Sequence, residues 1–517
     1  MVAPQRADLE KQELWRGDET AIYDVETNAE VTYSELSELA NRAANALHER
    51  GVRYNDRVAL LVHNTIEFPI FLYGCFKLGA VPVAVNYRFS SEDVAHVLET
   101  VNEQTFVFDA EFADLATDAA ELAGSKPEFF SVGPSQVGTS FSTILDTASS
   151  ESPPPISWSP NDLSYMFCTS GTTGRPKVVT HTIRSGTERE RVSINQSETT
   201  PRSVWVAFLP WFHGSGIDTV VRSSIAAGAA FVAVKDYSDP AEAMSVVEDY
   251  PVTHVMTVPT LSDRFVDANA SKAVDLGEIK CWRHTGEVLT PTQVETFREE
   301  LTPNIYNSYG SSESGLNTML RPEDLPEHAG SVGRPVVGDE VRLIELDNDR
   351  HMEPAERVSP GEEGEIIVRS DQLFFGYFED RAKTTERFYD GWYYTHDVGV
   401  IEDGYLYVKG RTDDMILSGG ELVSAIEVED ALKSHVDVSE AVVVGTPDSD
   451  WGERIVAFVN RRKEVSTEEL DEYLRRNDVL AEYKRPREYH FVSDVERTGS
   501  GKKRRAKYRE SAKTTDS

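Results

Sequence analysis

Cysteine is scarce in this chain: Cys75, Cys168 and Cys281 are the only three among 517 residues, and they stand far apart. That spacing excludes a disulfide framework and a cysteine-built metal centre. Each thiol is expected as a small buried hydrophobe. Long apolar runs are missing too. No unbroken stretch approaches the roughly 18 residues of a membrane-spanning helix, and the most apolar segment, Ile225 to Val234, is flanked by Arg222 and Lys235. The opening residues, MVAPQRADLEKQELW, lack the apolar core of a secretory signal. No integral membrane association is expected, and a cytoplasmic location is. Positive charge is the third scarcity. Against 88 Asp and Glu there are 52 Lys and Arg, a formal net charge of −36. Such a surplus opposes binding to nucleic acid and to anionic membranes.

What is present is the material of a large folded enzyme. Apolar residues make up 39% of the chain, enough for an extensive core, and the acids are scattered instead of forming a block. The charge therefore reads as a solvated acidic surface. It suits the salt-rich cytoplasm of a halophile, where self-repulsion is screened within about 3 Å at 1 M salt. A length of 517 residues exceeds the roughly 250–300 at which single domains stop growing, so at least two domains are expected.

Helical and strand-like patterns alternate through the first third. Thr32 and Glu35 have capping-box spacing, followed by the apolar face Leu36, Leu39, Ala40, Ala43 and Leu47 and a stop at Gly51. RVALLVHN (57–64) reads as a buried strand, FLYGCFKLG as a helix and AVPVAVN (80–86) as a strand. SSEDVAHVLETVN (90–102) reads as a capped helix and TFVFD (105–109) as a further strand. This repetition predicts an α/β fold with a mainly parallel sheet. SSESPPPISWSP (149–160) reads as an exposed connection. Strand and turn signals dominate after Gly361, and the pattern resets into a compact α+β region after Arg411.

The strongest chemical signal is YMFCTSGTTGRPK, from Tyr165 to Lys177. A polyphosphate needs closely spaced backbone N–H groups, short hydroxyl donors and a cation. Gly171 and Gly174 permit a close backbone approach, Thr169, Ser170, Thr172 and Thr173 supply hydroxyls, and Lys177 supplies the charge. No Gly-Lys-Ser/Thr ends the string, so it is not a P-loop of the Walker type.

This string resembles the phosphate-loop signature of the ANL superfamily of adenylate-forming enzymes: acyl-CoA synthetases, adenylation domains and luciferases. Further resemblances follow in the family's order. They are LPWFHGSG (209–216), NSYGSSESG (307–315), SVGRP (331–335), GEIIVRS (364–370), YYTHD (393–397), GRTDDMILSGGELVSAIEVE (410–429) and TGSGK (498–502). The resemblance covers about residues 20 to 507. It implies a large N-terminal domain of α/β layers plus a distorted β-barrel, residues 1–410, and a small mobile α+β C-terminal domain, residues 411–517.

The resemblance also implies roles. Glu313, with Thr172, would hold Mg²⁺ at the phosphates, for which a carboxylate oxygen is suited. Gly286, Glu287, Ser308, Tyr309, Gly310, Ser311 and Ser312 would contact ATP, Ser312 standing where threonine is usual. Asp397 would accept from the ribose hydroxyls and Arg411 would contact ribose and phosphate. His396 replaces a customary glycine, which puts the backbone there in question. His213 would lie beside the substrate carboxylate. Lys502 would neutralise charge as the carboxylate attacks the α-phosphate. Asp413 matches a hinge, and Ser418, Gly419 and Gly420 the loop approaching the coenzyme A thiol.

The activity implied is ATP-dependent acyl-adenylate formation followed by thioester transfer to coenzyme A, by a monomer or homodimer acting on a small carboxylic acid. Two alternatives are an enzyme loading a carrier-protein thiol and a non-catalytic nucleotide-binding homologue. The acyl pocket is expected from residues 211–218, 255–260, 284–289 and 308–318, with Trp211, Phe212, Met256 and Met319. The absence of an aromatic at Ser311 disfavours an acetate-sized pocket.

Overall fold

The computed structural model describes residues 3–103, 105–170, 175–272, 274–346, 353–418, 421–448, 451–476, 480–497 and 503–515. The chain divides into two compact units: Met1–Val341 with Val368–Tyr393, and Arg342–Ile367 with Tyr394–Ser517. The boundary expected at residue 410 falls inside the second unit.

Two sheets organise the first unit. One has nine strands, in the order Arg334–Pro335, Gly315–Leu320, Ile305–Ser311, Cys281–Thr285, His254–Thr257, Val204–Ala207, Ala230–Ala233, Thr20–Asp24 and Ala29–Thr32. Its inner strands pair in parallel, and the outermost pairs on both sides are antiparallel. The other has eight, in the order Gly376–Tyr377, Pro176–Thr182, Leu163–Ser170, Val81–Ala84, Arg57–Leu61, Thr105–Asp109, Glu128–Val132 and Thr139–Ser140. Parallel strands buried on both faces read as continuous apolar runs, which is why VALL and TFVFD lack alternation.

Local chemistry fixes the elements between. The helix Tyr33–Glu49 begins with a full capping box from Thr32 and Glu35, and the chain leaves it through Gly51 at φ +97°. Glu67–Leu78 ends on Gly79 at φ +65°, a left-handed cap that glycine adopts without penalty. Ser91–Val101 is capped by Ser90. The Pro/Ser-rich connection has no regular structure and is mostly exposed, yet it is strapped down. Arg6 donates to the carbonyls of Pro153 and Pro154, and Asn45 to those of Ser149 and Glu151. All three cysteines are free and buried. No helix among the described residues is long and apolar enough to cross a membrane.

The second unit contains the hairpin that joins Trp392–Glu402, which enters the unit at Tyr394, to Tyr405–Arg411. Asp403 and Gly404, both at positive φ, form its turn. A further sheet orders Glu421–Ser424, Met415–Ser418, Gly452–Arg461 and Val438–Asp448, with Glu488–Val492 on the other edge of Gly452–Arg461. It packs its own apolar core, including Val423, Val428, Leu432, Val443 and Ile455.

Candidate active site

The phosphate-loop string is the connection of an antiparallel hairpin. Leu163–Ser170 pairs with Pro176–Thr182, setting Thr169 opposite Lys177 and Ser170 opposite Pro176. Gly171, Thr172, Thr173 and Gly174 lie outside the described residues. The first strand of the hairpin is fully buried at Tyr165, Met166 and Phe167. Lys177 Nζ lies 4.9 Å from the centre of the Tyr377 ring, within the range of a cation–π contact.

Tyr377 ties that lysine to the proposed metal carboxylate. Its hydroxyl donates to Glu313 Oε1 at 2.8 Å, and Phe374 N donates to the Glu313 carbonyl at 2.8 Å. The turn before Glu313 is held from the other side. Arg189, on the helix Ile183–Gln196, donates from Nη2 to the Ser312 carbonyl at 2.8 Å and from Nε to the Gln372 carbonyl at 2.8 Å. Its Nη1 reaches Asp218 Oδ2 at 3.2 Å. Ser311 and Ser314 close the turn through their hydroxyls, 3.0 Å apart. Gly310 is obligatory: a Cβ there would lie 1.8 Å from the Gly315 carbonyl oxygen.

His213 stands just before a π-helical segment, Ser215–Arg222, and its carbonyl accepts from Gly216 N and Ile217 N. π-Turns concentrate at functional sites. Asp218 within this segment accepts from the Tyr165 hydroxyl at 2.6 Å and from Arg222 Nη1 at 3.0 Å. Arg222, fully buried, also pairs with Glu190. Asp218 thereby joins the strand that carries the phosphate loop, the segment after His213 and, through Arg189, the turn before Glu313. Trp211 and Phe212 are buried, and Trp211 N donates to Asn64 Oδ1.

In the HTGE stretch, His284 is structural. It is buried against Phe297 and lies 2.8 Å from the Ser262 hydroxyl, and burial lowers its pKa to about 3. Gly286 follows at φ +80°. Glu287 Oε2 accepts from the backbone and hydroxyl of Thr260, near the start of the preceding helix, Pro259–Lys272. Ser308 is buried, donating to the His284 carbonyl and accepting from Arg283. Tyr309 is half-buried.

The second unit holds Asp397 and Arg411 as register partners of the hairpin, with Arg411 Nη1 3.6 Å from Asp397 Oδ1. His396 adopts φ +58°, so histidine here keeps the left-handed conformation that the family's glycine suggests. Histidine tolerates it better than a β-branched residue would, and Glu365 Oε1 accepts from the His396 backbone N–H. Asp413 sits in a short 3₁₀ turn, Thr412–Asp414. Ser418 ends a strand and is buried. Gly419, Gly420 and Lys502 lie outside the described residues. Beside the lysine, Lys503 Nζ pairs with buried Glu429 at 2.7 Å and Arg505 pairs with the same carboxylate at 2.6 Å.

Sequence reasoning missed Tyr377, Arg189, Gln372 and Arg283. Tyr377 belongs to an aromatic run, LFFGYF, that could have drawn notice. Arg189 lies in the string ERER, indistinguishable from a solvated helix face.

A large unit and a smaller one, with a hairpin-borne hydroxyl-rich loop and a tyrosine-positioned carboxylate in the large unit, define an α/β enzyme built for nucleotide chemistry. The model for the AMP-binding enzyme family matches residues 9–378, and that for the AMP-binding enzyme C-terminal domain residues 427–502. The chain belongs to the AMP-binding enzyme family. It is similar to long-chain-fatty-acid–CoA ligase FadD13 of Mycobacterium tuberculosis, 29% identical over 488 residues and 93% of each chain. It is also similar to 3-hydroxybenzoate–CoA ligase of Aromatoleum sp., 29% identical over 93% of this chain and 91% of that one. The structure of o-succinylbenzoate coenzyme A synthetase from Bacillus subtilis, in complex with AMP, matches with a TM-score of 0.85, 25% identity and 98% coverage of both chains.

Proposed function

We propose that the protein is an AMP-forming acid–CoA ligase. A carboxylate oxygen attacks the α-phosphorus of ATP, forming the acyl–phosphate anhydride and releasing pyrophosphate. The coenzyme A thiolate then attacks the acyl carbon, the thioester forms and AMP leaves with the bonding electrons. What carries the reading is the match of both family models, in order, together with the Lys177–Tyr377–Glu313 arrangement in the first unit. Its relatives are named as ligases of a fatty acid and of a hydroxybenzoate, so the acceptor is free coenzyme A and not a carrier protein.

Thr169, Ser170, Gly171, Thr172, Thr173, Gly174 and Lys177 would bind the phosphates. Gly286, Glu287 and residues 308–312 would bind the adenosine side, Glu287 and Ser308 through atoms not already committed to Thr260, His284 and Arg283. Asp397 and Arg411 would bind the ribose. Glu313 is a half-buried carboxylate with one oxygen fixed by Tyr377, a donor that fits Mg²⁺; Glu313 and Thr172 would hold that ion, which lowers the negative charge met by the attacking carboxylate. His213 would orient the acid. Residues 411–517 would turn about Asp413 as a body, presenting Lys502 for the first step and Ser418 to Gly420 for the second; in support, residue 410 lies between the two matched segments, 9–378 and 427–502. The acidic surface is that of a salt-adapted cytoplasmic protein.

Half-reaction assays test this. Lys502→Ala should nearly abolish carboxylate-dependent ATP–pyrophosphate exchange, yet still form thioester from presynthesised acyl-adenylate and coenzyme A. Glu313→Gln should slow the first step by about 10²–10³-fold, the cost of one preorganised charged contact. Normal exchange in a folded Lys502→Ala enzyme would remove that lysine from the mechanism. Absence of exchange with every acid tried would remove the ligase reading.

A further inference from the structure

Arg283 is 3% exposed. It sits in the strand Cys281–Thr285, in register with Met256 on one neighbouring strand and Tyr306 on the other. Register partners point to the same face of a sheet. Ser308, two residues beyond Tyr306, and its own partner Met319 share that face. Cys281, Met256, Tyr306 and Met319 all pack into the main core. Arg283 reaches across to the end of the helix Ile183–Gln196, where Nη1 donates to Ser197 Oγ at 3.2 Å, while Nε donates to Ser308 Oγ at 3.2 Å. Its guanidinium therefore lies against Ser308, on the sheet face that carries Met256 and Met319, side chains that the sequence assigns to the acyl pocket.

Both partners are neutral hydroxyls. Among the described residues no carboxylate pairs with Arg283. Burial lowers its pKa to about 10, opposed by the Cys281 thiol and by no carboxylate among the described residues, so it stays protonated at neutral pH. One turn earlier on the same helix, Ser193 Oγ is buried with no partner among the described residues. An ion taken out of water without a counter-ion costs several kcal/mol. The other buried arginines of this region avoid that cost: Arg222 pairs with Glu190 and Asp218, and Arg189 with Asp218.

We propose that the acid activated by this enzyme carries a second carboxylate, remote from the reacting one, which Arg283 receives on the floor of the acyl pocket. The inference rests on the acid–CoA ligase reading and deepens it by naming the substrate class, dicarboxylic acids. A guanidinium is a planar fork matched to a carboxylate, and the substrate would bring the counter-charge that the folded chain omits. A monoacid of the same length would leave the ion buried and unpaired, and sites of this kind reject the analogue lacking the recognised group by large factors.

The test uses the full-length enzyme, ATP–pyrophosphate exchange and thioester formation, with matched pairs: straight-chain monoacids against the corresponding diacids, and benzoate against the three phthalates. The expected result is a diacid preferred over its monoacid by about 10²-fold or more in kcat/KM. Arg283→Met should keep the fold and melting temperature but lose the preference, and Arg283→Lys should keep part of it. The wild-type ratio decides first, since it needs no variant. A wild-type preference for monoacids, or a preference retained in folded Arg283→Met, overturns the inference alone. Failure of exchange with every member of both series overturns the ligase reading and the inference together.

Discussion

Two buried arginines of the first unit face opposite situations. Around Arg222 the chain supplies its own compensation: Glu190 and Asp218 pair with it, and the Tyr165 ring lies 4.5 Å from its guanidinium carbon. Burial raises the pKa of Glu190, while the carboxylates around Arg222, outweighing its own burial, raise that of the guanidinium. Around Arg283 the described residues supply two hydroxyls and no charged partner. A closed cluster of the first kind is a structural joint, here linking the phosphate-loop strand to the segment after His213. An open charge of the second kind is a receptor. Glu103 sharpens the contrast. It too is buried with a hydroxyl partner, Ser125, but a carboxyl can neutralise itself by taking up a proton, and burial raises its pKa to about 7. A guanidinium has no such escape.

The contrast is broken most strongly at Arg222. Arg222→Met should destabilise the fold by about 3–5 kcal/mol, because it strands Glu190 in the core and leaves Asp218 with Arg189 as its one remaining cation among the described residues. Arg283→Met, which strands no charge, should stay within about 1 kcal/mol of wild type or exceed it. Chemical denaturation of both variants measures the difference, and equal losses would erase the distinction between joint and receptor. Salt separates surface from interior. The net charge of −36 sits on exposed acids, whose repulsion is screened, whereas the buried cluster is screened far less. Wild type is expected to need molar KCl for full melting temperature and activity, and the Arg222→Met penalty to persist at high salt. An unchanged melting temperature in dilute buffer would refute the salt-adapted surface.

The smallest effect is expected at Glu103. Its folded pKa lies above the ordinary value near 4.3, so its contribution to stability is complete below about pH 4 and is lost as pH rises through about 7. Glu103→Gln should therefore leave the melting temperature unchanged at pH 4 and raise it by a few degrees at pH 8. Melting curves across that range check the sign, and a variant less stable at pH 8 would contradict it.

Much of the framework was legible in the residues. The capping pair Thr32–Glu35, the stop at Gly51 and the strands 57–61 and 105–109 follow from local chemistry. The hairpin that sets Thr169 opposite Lys177 does not: the residues offered the loop's chemistry, and the structure its pairing. What escaped depends on tertiary placement. Arg189 and Arg222 are buried in defiance of their polarity because a partner from a distant segment meets each one. Gln372 reads as a loop residue, yet its amide donates to the Leu316 carbonyl and accepts from Leu316 N, like an added strand. The compact units also interleave the chain, returning to the first unit for 368–393, whereas a sequence read in order offers a single cut.

The C-terminal helix Arg505–Thr515 has a mechanical meaning. Asp414, directly after the proposed pivot, pairs with Arg509 at 3.1 Å and lies 4.0 Å from Arg505. Arg505 shares Glu429 with Lys503, directly after the proposed catalytic lysine. Pivot flank and lysine flank are thus bolted to one stiff rod. Were residue 413 the pivot, these pairs would carry residue 503 along with its turn, and softening Glu429 would loosen that coupling without altering the chemistry at either end.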